Sequence, residues 1–214
     1  MEFKYGMRLR GFSIGCQPRE GFIRREDDDS GKYHDLIVYD RPLTVEEVRN
    51  YDLDRLFGYT DIKNQRQEEF NKLPFFYAFS DKQLEEELAK RGLTLSKDDL
   101  KKVSRLSSVP GTFFLKSDTQ VLQEYYNKPD PMDELMKDPG FAETAFYYEM
   151  GNHEYHINWQ ADWDVCSCFG NCEYEEEKDY TDYLKEIGFG GEIILAYKKA
   201  RARFLHDADE NGWY

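Results

Sequence analysis

The spacing of apolar residues changes along the chain, and this change limits the folds that the sequence can adopt. Residues 3–14 alternate loosely between apolar and polar side chains, and residues 33–39 form a short apolar run. Both segments therefore predict strands. In the last third of the chain, apolar residues recur at helical spacing over residues 140–151 and again over about residues 192–205. The pattern predicts an α+β fold, with a small N-terminal β-rich unit followed by a larger mixed, mainly helical body.

A helix start follows the first predicted strands. Thr44 stands three residues before Glu47, which is the spacing of a capping box, in which two side chains satisfy the first free N–H groups of a helix. Residues 1–57 are therefore interpreted as a ββα or βββα unit, and residues 58–214 as the body. Within the body, residues 75–79 and about 112–116 are predicted to be strands, and Ser80 is predicted to cap the helix between them.

Charge is distributed unevenly along the 214 residues. Residues 1–25 carry six basic and two acidic side chains, a net charge of +4, whereas the whole chain has −14, so the remainder carries −18. An acidic body repels phosphate backbones, which disfavours direct binding of DNA or RNA. It suits a basic partner, such as a protein that handles nucleic acid. Solubility alone is the other explanation of the charge.

Composition also bears on the compartment. Aromatic residues make up 16% of the chain, which supplies a core despite 34% charged residues. No run of eighteen apolar residues occurs, and the N-terminus lacks the apolar segment of a signal peptide. The expected location is therefore the cytoplasm. In that reducing compartment the four cysteines are expected to be free thiols or metal ligands.

One segment concentrates the side chains that zinc prefers. Two histidines and three cysteines lie within twenty residues, and structural zinc sites take four such ligands. The predicted ligands of a structural Zn²⁺ site are His153, Cys166, Cys168 and Cys172, with Glu149 and His156 as alternates. The spacing Cys-x-Cys departs from the usual Cys-x2-Cys knuckle, so other interpretations stay open.

Two alternatives concern the same segment. If residues 165–169 form a strand, Cys166 and Cys168 share one face and are core residues. Alternatively, Glu149 and His153, four apart on one helix face, join Asp162 or Asp164 in an open site that suits a hydrolase. The sequence contains no Gly-rich phosphate loop and no nucleophile elbow. We therefore expect a protein that acts without catalysis.

An acidic run with interleaved tyrosines follows the last cysteine. Residues 172–183 hold six carboxylates, one lysine and three tyrosines. Such a surface can imitate spaced phosphates while the tyrosines supply contact area. The other interpretation is a solvated loop that leads into a helix capped near Thr181. The predicted partner-binding residues are Glu173, Tyr174, Glu175, Glu176, Glu177, Asp179 and Tyr180.

Several segments resemble proteins of phages and mobile elements. Residues about 61–205 resemble a family from such elements in gut Firmicutes and related bacteria, through residues 69–80, 113–118 and 148–155. Residues 5–18 and 39–44 resemble a small module that is common on the same elements. The resemblance covers most of the chain but carries no established activity, so it implies a genetic context and not a mechanism.

That context implies a function in counter-defence. Small acidic accessory proteins of such elements resemble anti-CRISPR and anti-restriction factors, some of which use acidic surfaces against the basic grooves of nucleases. The function implied is an anti-CRISPR-type inhibitor that binds a Cas9-class nuclease and blocks loading of guide or target nucleic acid, with a structural zinc ion. The alternatives are a metal-dependent hydrolase or nuclease using Glu149 and His153, and a non-enzymatic regulatory adaptor of the mobile element.

Overall fold

Four short strands of the N-terminal region form one antiparallel sheet in the computed structural model, which describes residues 1–213. The strands are β1 (Phe3–Met7), β2 (Phe22–Glu26), β3 (Asp35–Tyr39) and β4 (Leu53–Arg55), in the order β2-β3-β1-β4. Tyr5 in β1 lies opposite Ile37 in β3 on one side and Arg55 in β4 on the other. The strands predicted at residues 3–14 and 33–39 are present, although the first ends at Met7.

The inner strands β1 and β3 are almost fully buried. Tyr5 and Ile37 are both 0% exposed, and the Tyr5 hydroxyl accepts a hydrogen bond from the backbone N–H of Leu43 at 2.8 Å. Gly6 allows a close approach between β1 and the Tyr33 ring, because a Cβ atom at Gly6 would lie 2.5 Å from that ring. The sheet therefore contributes its inner strands to the core and leaves β2 at an edge.

The first helix, α1 (Val45–Asn50), begins at the predicted capping box. The backbone N–H of Glu47 donates to Thr44 Oγ1 at 3.1 Å, and the backbone N–H of Thr44 donates to Glu47 Oε2 at 2.8 Å. Both bonds satisfy groups that a short helix would otherwise leave without partners. The predicted helix start is therefore confirmed at atomic level.

The substitution Thr44→Ala is expected to lower the free energy of unfolding by about 1 kcal/mol, because it removes the side-chain acceptor of the capping box. The control is Thr60→Ala, which replaces an exposed threonine near the start of the next helix. Its effect is expected to stay within about 0.5 kcal/mol. Urea unfolding followed by tryptophan fluorescence measures both changes, and equal losses would contradict the capping role.

Nine further helices occur within residues 1–213. They are α2 (Tyr59–Asn71), α3 (Asp81–Ala89), α4 (Lys97–Leu100), α5 (Thr119–Tyr126), α6 (Met132–Leu135), α7 (Pro139–Asn152), α8 (Ala161–Ser167), α9 (Tyr180–Glu186) and α10 (Gly191–Asn211), and one 3-10 turn covers Lys116–Asp118. Among the described residues, none of these helices combines the length and the apolar content needed to cross a membrane. The predicted α+β fold, with an N-terminal sheet and a helical body, is confirmed.

The chain divides into two compact units, one of which is discontinuous in sequence. The first combines residues 1–65 with the part of the chain from residue 130 on, and the second comprises residues 66–129. The second unit contains an antiparallel sheet of three strands, β5 (Phe76–Tyr77), β6 (Val103–Arg105) and β7 (Thr112–Leu115), in the order β5-β7-β6. The strand predicted at residues 75–79 is shorter than expected, because β5 covers only two of those five residues. Phe79, predicted to be buried, is 75% exposed.

The core of the discontinuous unit lies between α7, α10 and the inner strands of the N-terminal sheet. Phe146 of α7 is 0% exposed and lies edge-on to Tyr197 of α10, with ring centroids 4.9 Å apart. Ala145 and Ala196 are also buried beside these rings, and small side chains allow two helices to approach closely. The predicted helix over residues 140–151 is confirmed as α7, and the closing helix runs six residues further than predicted, to Asn211.

Residues 165–167 are the end of helix α8 and residues 168 and 169 are a turn and a bend after it, so the conditional interpretation of this segment as a strand is wrong. Cys166 lies inside α8, and Cys168 continues the helical backbone as its C-cap with φ −67° and ψ −18°. Two residues along a helix turn the side chain by about 200°. Cys166 and Cys168 therefore point to nearly opposite sides, whereas in a strand they would share a face.

Candidate functional site: a Glu–His–Cys group and an acidic aromatic surface

A buried carboxylate marks the first candidate site. Glu149, in α7, is 1% exposed. Its Oε1 atom accepts hydrogen bonds from the Tyr59 hydroxyl at 2.5 Å and from Lys63 Nζ at 2.6 Å. Its Oε2 atom accepts a bond from Asn152 Nδ2 at 3.0 Å. Tyr59 and Lys63 lie four residues apart in α2, so one face of that helix supplies both donors to the same oxygen.

These partners keep Glu149 ionised. Burial raises the pKa of a carboxyl group, but the Lys63 ammonium and the Tyr59 hydroxyl outweigh it, and the pKa of Glu149 lies below its ordinary value. Glu149 is therefore a carboxylate at neutral pH. A charged group in such a buried position needs the partners that α2 provides.

His153 and Cys168 complete a three-residue group with Glu149. His153 Nε2 lies 3.7 Å from Glu149 Oε2 and 3.3 Å from Cys168 Sγ. The three ligand atoms all lie within 4.8 Å of one another. Glu149 and His153 are one helical turn apart at the end of α7, and α8 ends at Cys168, so two helix C-termini bring the group together.

The geometry of this group does not match a nucleophilic relay. In such a relay the base uses one ring nitrogen for the nucleophile and the other for the carboxylate. Here Cys168 Sγ and Glu149 Oε2 both face Nε2 of His153. Although Cys168 is exposed as a residue, desolvation of its sulfur and the negative charge of Glu149 raise its pKa to about 11, so the sulfur is a protonated thiol near neutral pH. Three donor atoms that converge on one point instead suit a metal ion.

The other predicted ligands lie elsewhere. Cys166 is 0% exposed within the core, where burial raises its pKa well above the ordinary thiol value. Cys172 is half-buried, and its carbonyl oxygen accepts a hydrogen bond from Trp163 Nε1 at 3.0 Å. His156 lies beside the rings of Phe204 and Trp213. The structure thus brings His153, Cys168 and the alternate ligand Glu149 together, and it leaves Cys166, Cys172 and His156 outside this group.

The aspartates named with the open-site alternative also have other partners. Asp162 accepts hydrogen bonds from the hydroxyls of Tyr155 and Tyr197, and Asp164 accepts one from Asn158 Nδ2 at 2.6 Å. The helical spacing of Glu149 and His153 was visible in the sequence. The contribution of Tyr59 and Lys63 was missed, because these residues lie about ninety positions away and no local pattern connects them to Glu149.

The predicted partner-binding residues form a second candidate site, here called the acidic aromatic surface: residues 173–180 with Trp159 and Trp163. This loop is held in place by side chains. Lys178 Nζ lies 2.6 Å from Glu175 Oε1 and 2.8 Å from Glu186 Oε2. The Tyr183 hydroxyl donates to the Glu175 carbonyl oxygen at 2.7 Å. The segment is therefore an anchored loop, and the helix after it begins at Tyr180 with Asp179 as its cap.

A cleft of about 320 Å³ opens on this surface. Tyr174 lies between two indole rings, edge-on to Trp159 at 5.6 Å and to Trp163 at 5.8 Å between centroids. Trp159 is 77% exposed, which is unusual for so large an apolar side chain. Glu175 and Glu176 also line the cleft, so aromatic faces and carboxylates occur together.

The charges around this cleft are only partly neutralised. Arg201 Nε donates to the Tyr155 hydroxyl at 2.6 Å, which in turn donates to Asp162, so these groups satisfy each other at the cleft wall. Glu176 and Glu177 are exposed and form no ion pair within residues 1–213. From residue 130 on, the chain has 20 acidic and 7 basic residues, whereas residues 66–129 have 10 and 11. The negative charge is thus concentrated in the discontinuous unit.

The fold and the two sites define an α+β protein with a helical core, a Glu–His–Cys group and an acidic aromatic surface. The chain belongs to the family described as Family of unknown function (DUF7659), which matches residues 58–173. Residues 1–56 match a second family, described as Defence against restriction A C-terminal. No curated protein and no solved structure matches the chain.

The two matches bear on both sites and on the predicted resemblance. The first matched segment contains Glu149, His153, Cys168 and both tryptophans of the acidic aromatic surface. The second supports the coarser part of the resemblance, a relation to defence-related proteins of phages and mobile elements.

Proposed function

We propose that this protein is a counter-defence factor that binds a host defence nuclease and blocks its loading with guide or target nucleic acid. The observation that carries the proposal is the match of residues 1–56 to Defence against restriction A C-terminal. The acidic aromatic surface supplies the mode of binding. It presents to the nuclease the negative charge that a nucleic acid would otherwise place in its basic groove.

The chemistry of the surface favours a basic protein partner. The exposed indole of Trp159 offers its face to a guanidinium or ammonium group, and indole is the strongest aromatic acceptor of such cations. Glu176 and Glu177 supply exposed carboxylates that form no ion pair among residues 1–213 and so have no cation there to release. An arginine of the partner can therefore stack on Trp159 while it pairs with a carboxylate, and both interactions occur at the centres of tight interfaces.

Two kinds of nuclease meet these requirements. A Cas9-class nuclease holds its guide–target duplex in a positively charged channel, which an acidic protein surface can occupy. A restriction endonuclease is the second candidate, and the match of residues 1–56 to the family Defence against restriction A C-terminal favours it. The two candidate partners are distinguished by different cleavage assays, but both would bind to the acidic aromatic surface of this protein.

The test is inhibition of DNA cleavage by a purified Cas9-class nuclease and, in parallel, by restriction endonucleases. The wild-type protein is expected to inhibit one of them when it is added before guide or target. The variant Trp159→Ala with Glu176→Gln and Glu177→Gln is expected to weaken inhibition by about 30-fold or more, the size of a lost interface hot spot. Higher salt is expected to weaken inhibition by the wild-type protein, because salt screens the attraction between the two charged surfaces.

A matched control separates local from overall charge. Glu68→Gln with Glu85→Gln removes the same number of exposed carboxylates from residues 66–129. This control is expected to inhibit as the wild type does. Equal inhibition by all three proteins would exclude the acidic aromatic surface as the binding site, and inhibition of neither nuclease class by the wild type would exclude the proposed function.

A further inference from the structure

We propose that Glu149, His153 and Cys168 bind one divalent transition-metal ion, zinc above all, as a three-ligand site whose fourth position is open to water. The site differs from the predicted cysteine-rich set, and it does not depend on the nuclease-binding function. The donors are one carboxylate oxygen, one imidazole nitrogen and one sulfur, which lie within 4.8 Å of one another. Zinc accepts all three donor types, whereas Mg²⁺ and Ca²⁺ require oxygen ligands alone.

The distances agree with tetrahedral coordination. Zinc lies roughly 2.0–2.3 Å from its ligands, so neighbouring ligand atoms of a tetrahedral site are roughly 3.3–3.6 Å apart. The separation of Cys168 Sγ from His153 Nε2 is 3.3 Å, and that of Glu149 Oε2 from His153 Nε2 is 3.7 Å. The third pair, Glu149 and Cys168, lies within 4.8 Å, so it is mainly this separation that must shorten for the three atoms to reach one ion.

The two oxygens of Glu149 have different partners, and this division favours metal binding. Tyr59 and Lys63 both bond to Oε1, whereas Oε2 faces His153 and accepts a hydrogen bond from the Asn152 amide. Hydrogen bonds on the outer oxygen of a ligating carboxylate fix its orientation and leave the inner oxygen for the ion. The neighbours of Glu149 thus have the arrangement of outer-shell partners in a metal site.

Lys63 also explains how the group is stable without an ion. Its ammonium offsets the Glu149 charge at 2.6 Å, so the buried carboxylate has a compensating cation before an ion binds. When a divalent ion binds, the thiol loses its proton, and the ion then balances one carboxylate and one thiolate. Cys168 is exposed, so the ion and a water molecule can reach the site from solvent, as in other zinc sites with three protein ligands.

The test is a titration of the metal-free full-length protein with Co²⁺, which reports its ligands by absorption. We expect one Co²⁺ per chain, with thiolate-to-cobalt charge-transfer absorption that disappears when Zn²⁺ is added. Cys168→Ser is expected to abolish that absorption, and Tyr59→Phe to weaken binding by about 10-fold through its effect on Glu149. Cys172→Ser is the matched control and is expected to bind as the wild type does.

Two results would overturn the proposal. One is a wild-type protein that shows no charge-transfer absorption with Co²⁺ in excess. The other is a loss of absorption in Cys172→Ser as large as in Cys168→Ser, which would return the ligand set to the predicted cysteine-rich one. Both substitutions replace cysteines outside the buried core, and circular dichroism confirms that the variants are folded before titration.

Discussion

Replacing Phe146 with alanine is expected to lower the free energy of unfolding by about 3–5 kcal/mol, the range for removing a buried aromatic ring. Phe146 is 0% exposed and contacts the rings of Phe169, Phe189 and Tyr197. Alanine there would leave a cavity between α7 and α10 that these rings fill only in part. Urea unfolding followed by tryptophan fluorescence measures the loss, because all three tryptophans lie beyond residue 130, in the discontinuous unit.

The control for Phe146 lies two residues further along α7. Tyr148 is 39% exposed, and Tyr148→Ala is expected to cost about 1 kcal/mol. Both residues lie in α7, so the two variants differ mainly in how far the lost aromatic ring is buried. Similar losses in both variants would show that the core does not lie between α7 and α10.

Arg55→Met is expected to lower the free energy of unfolding by about 2–3 kcal/mol near neutral pH, less than for a fully buried pair because Asp138 is 25% exposed. Arg55 donates to Asp138, whose other oxygen caps α7 through the backbone N–H of Gly140 at 2.8 Å. The guanidinium also lies over the rings of Phe57 and Phe141. Loss of Arg55 therefore removes the contact between β4 and the start of α7.

The pH dependence of stability distinguishes the ion pair from simple packing. Burial raises the pKa of Asp138, but the Arg55 guanidinium and the helix N–H groups lower it by more, so the net shift is downward. A carboxyl group with a lowered pKa stabilises the fold above its unfolded-state pKa, about 3.9, and loses that contribution as the pH falls through the folded-state value. The wild-type protein is therefore expected to lose stability below about pH 4.

In Arg55→Met this acid-induced loss is expected to be smaller, because the largest lowering influence is gone. The exposed pair of Arg8 and Asp54 provides the control, with side chains 50% and 34% exposed. Arg8→Met is expected to cost less than about 1 kcal/mol and to leave the acid dependence unchanged. A wild-type acid profile in Arg55→Met would show that Asp138 is not coupled to Arg55.

The elements that the sequence predicted correctly have local signals. Thr44 and Glu47 form the capping box, Ser80 caps α3, and the apolar spacing of residues 140–151 marks α7. The strands β2 and β4 were missed. β2 is Phe-Ile-Arg-Arg-Glu with half-exposed and exposed positions in alternation, and β4 has only three residues, so neither shows the apolar pattern of a buried strand. β2 and β4 are strands because they form hydrogen bonds with β3 and β1, respectively.

In the candidate sites, too, only the residues with a local sequence pattern were predicted. The pair of Glu149 and His153 follows from helical spacing, but the choice between Cys166 and Cys168 depends on whether their segment is a helix or a strand. The acidic aromatic surface was found from its carboxylates and tyrosines, whereas Trp159 and Trp163 were not assigned to it. The contacts of Trp159, before α8, and of Trp163, within α8, with the loop after that helix place them there. No local sequence pattern predicts such contacts.

The discontinuous unit also sets the order in which the protein can fold during synthesis. Residues 66–129 are contiguous and can fold as soon as they leave the ribosome. The core around the N-terminal sheet is completed later, because Tyr5 and Ile37 belong to the same hydrophobic cluster as residues of α7 and α10, which are made about a hundred residues or more after them. During that interval β1 and β3 expose apolar side chains and β2 offers an unpaired edge, the two features that make a partly folded chain prone to aggregation.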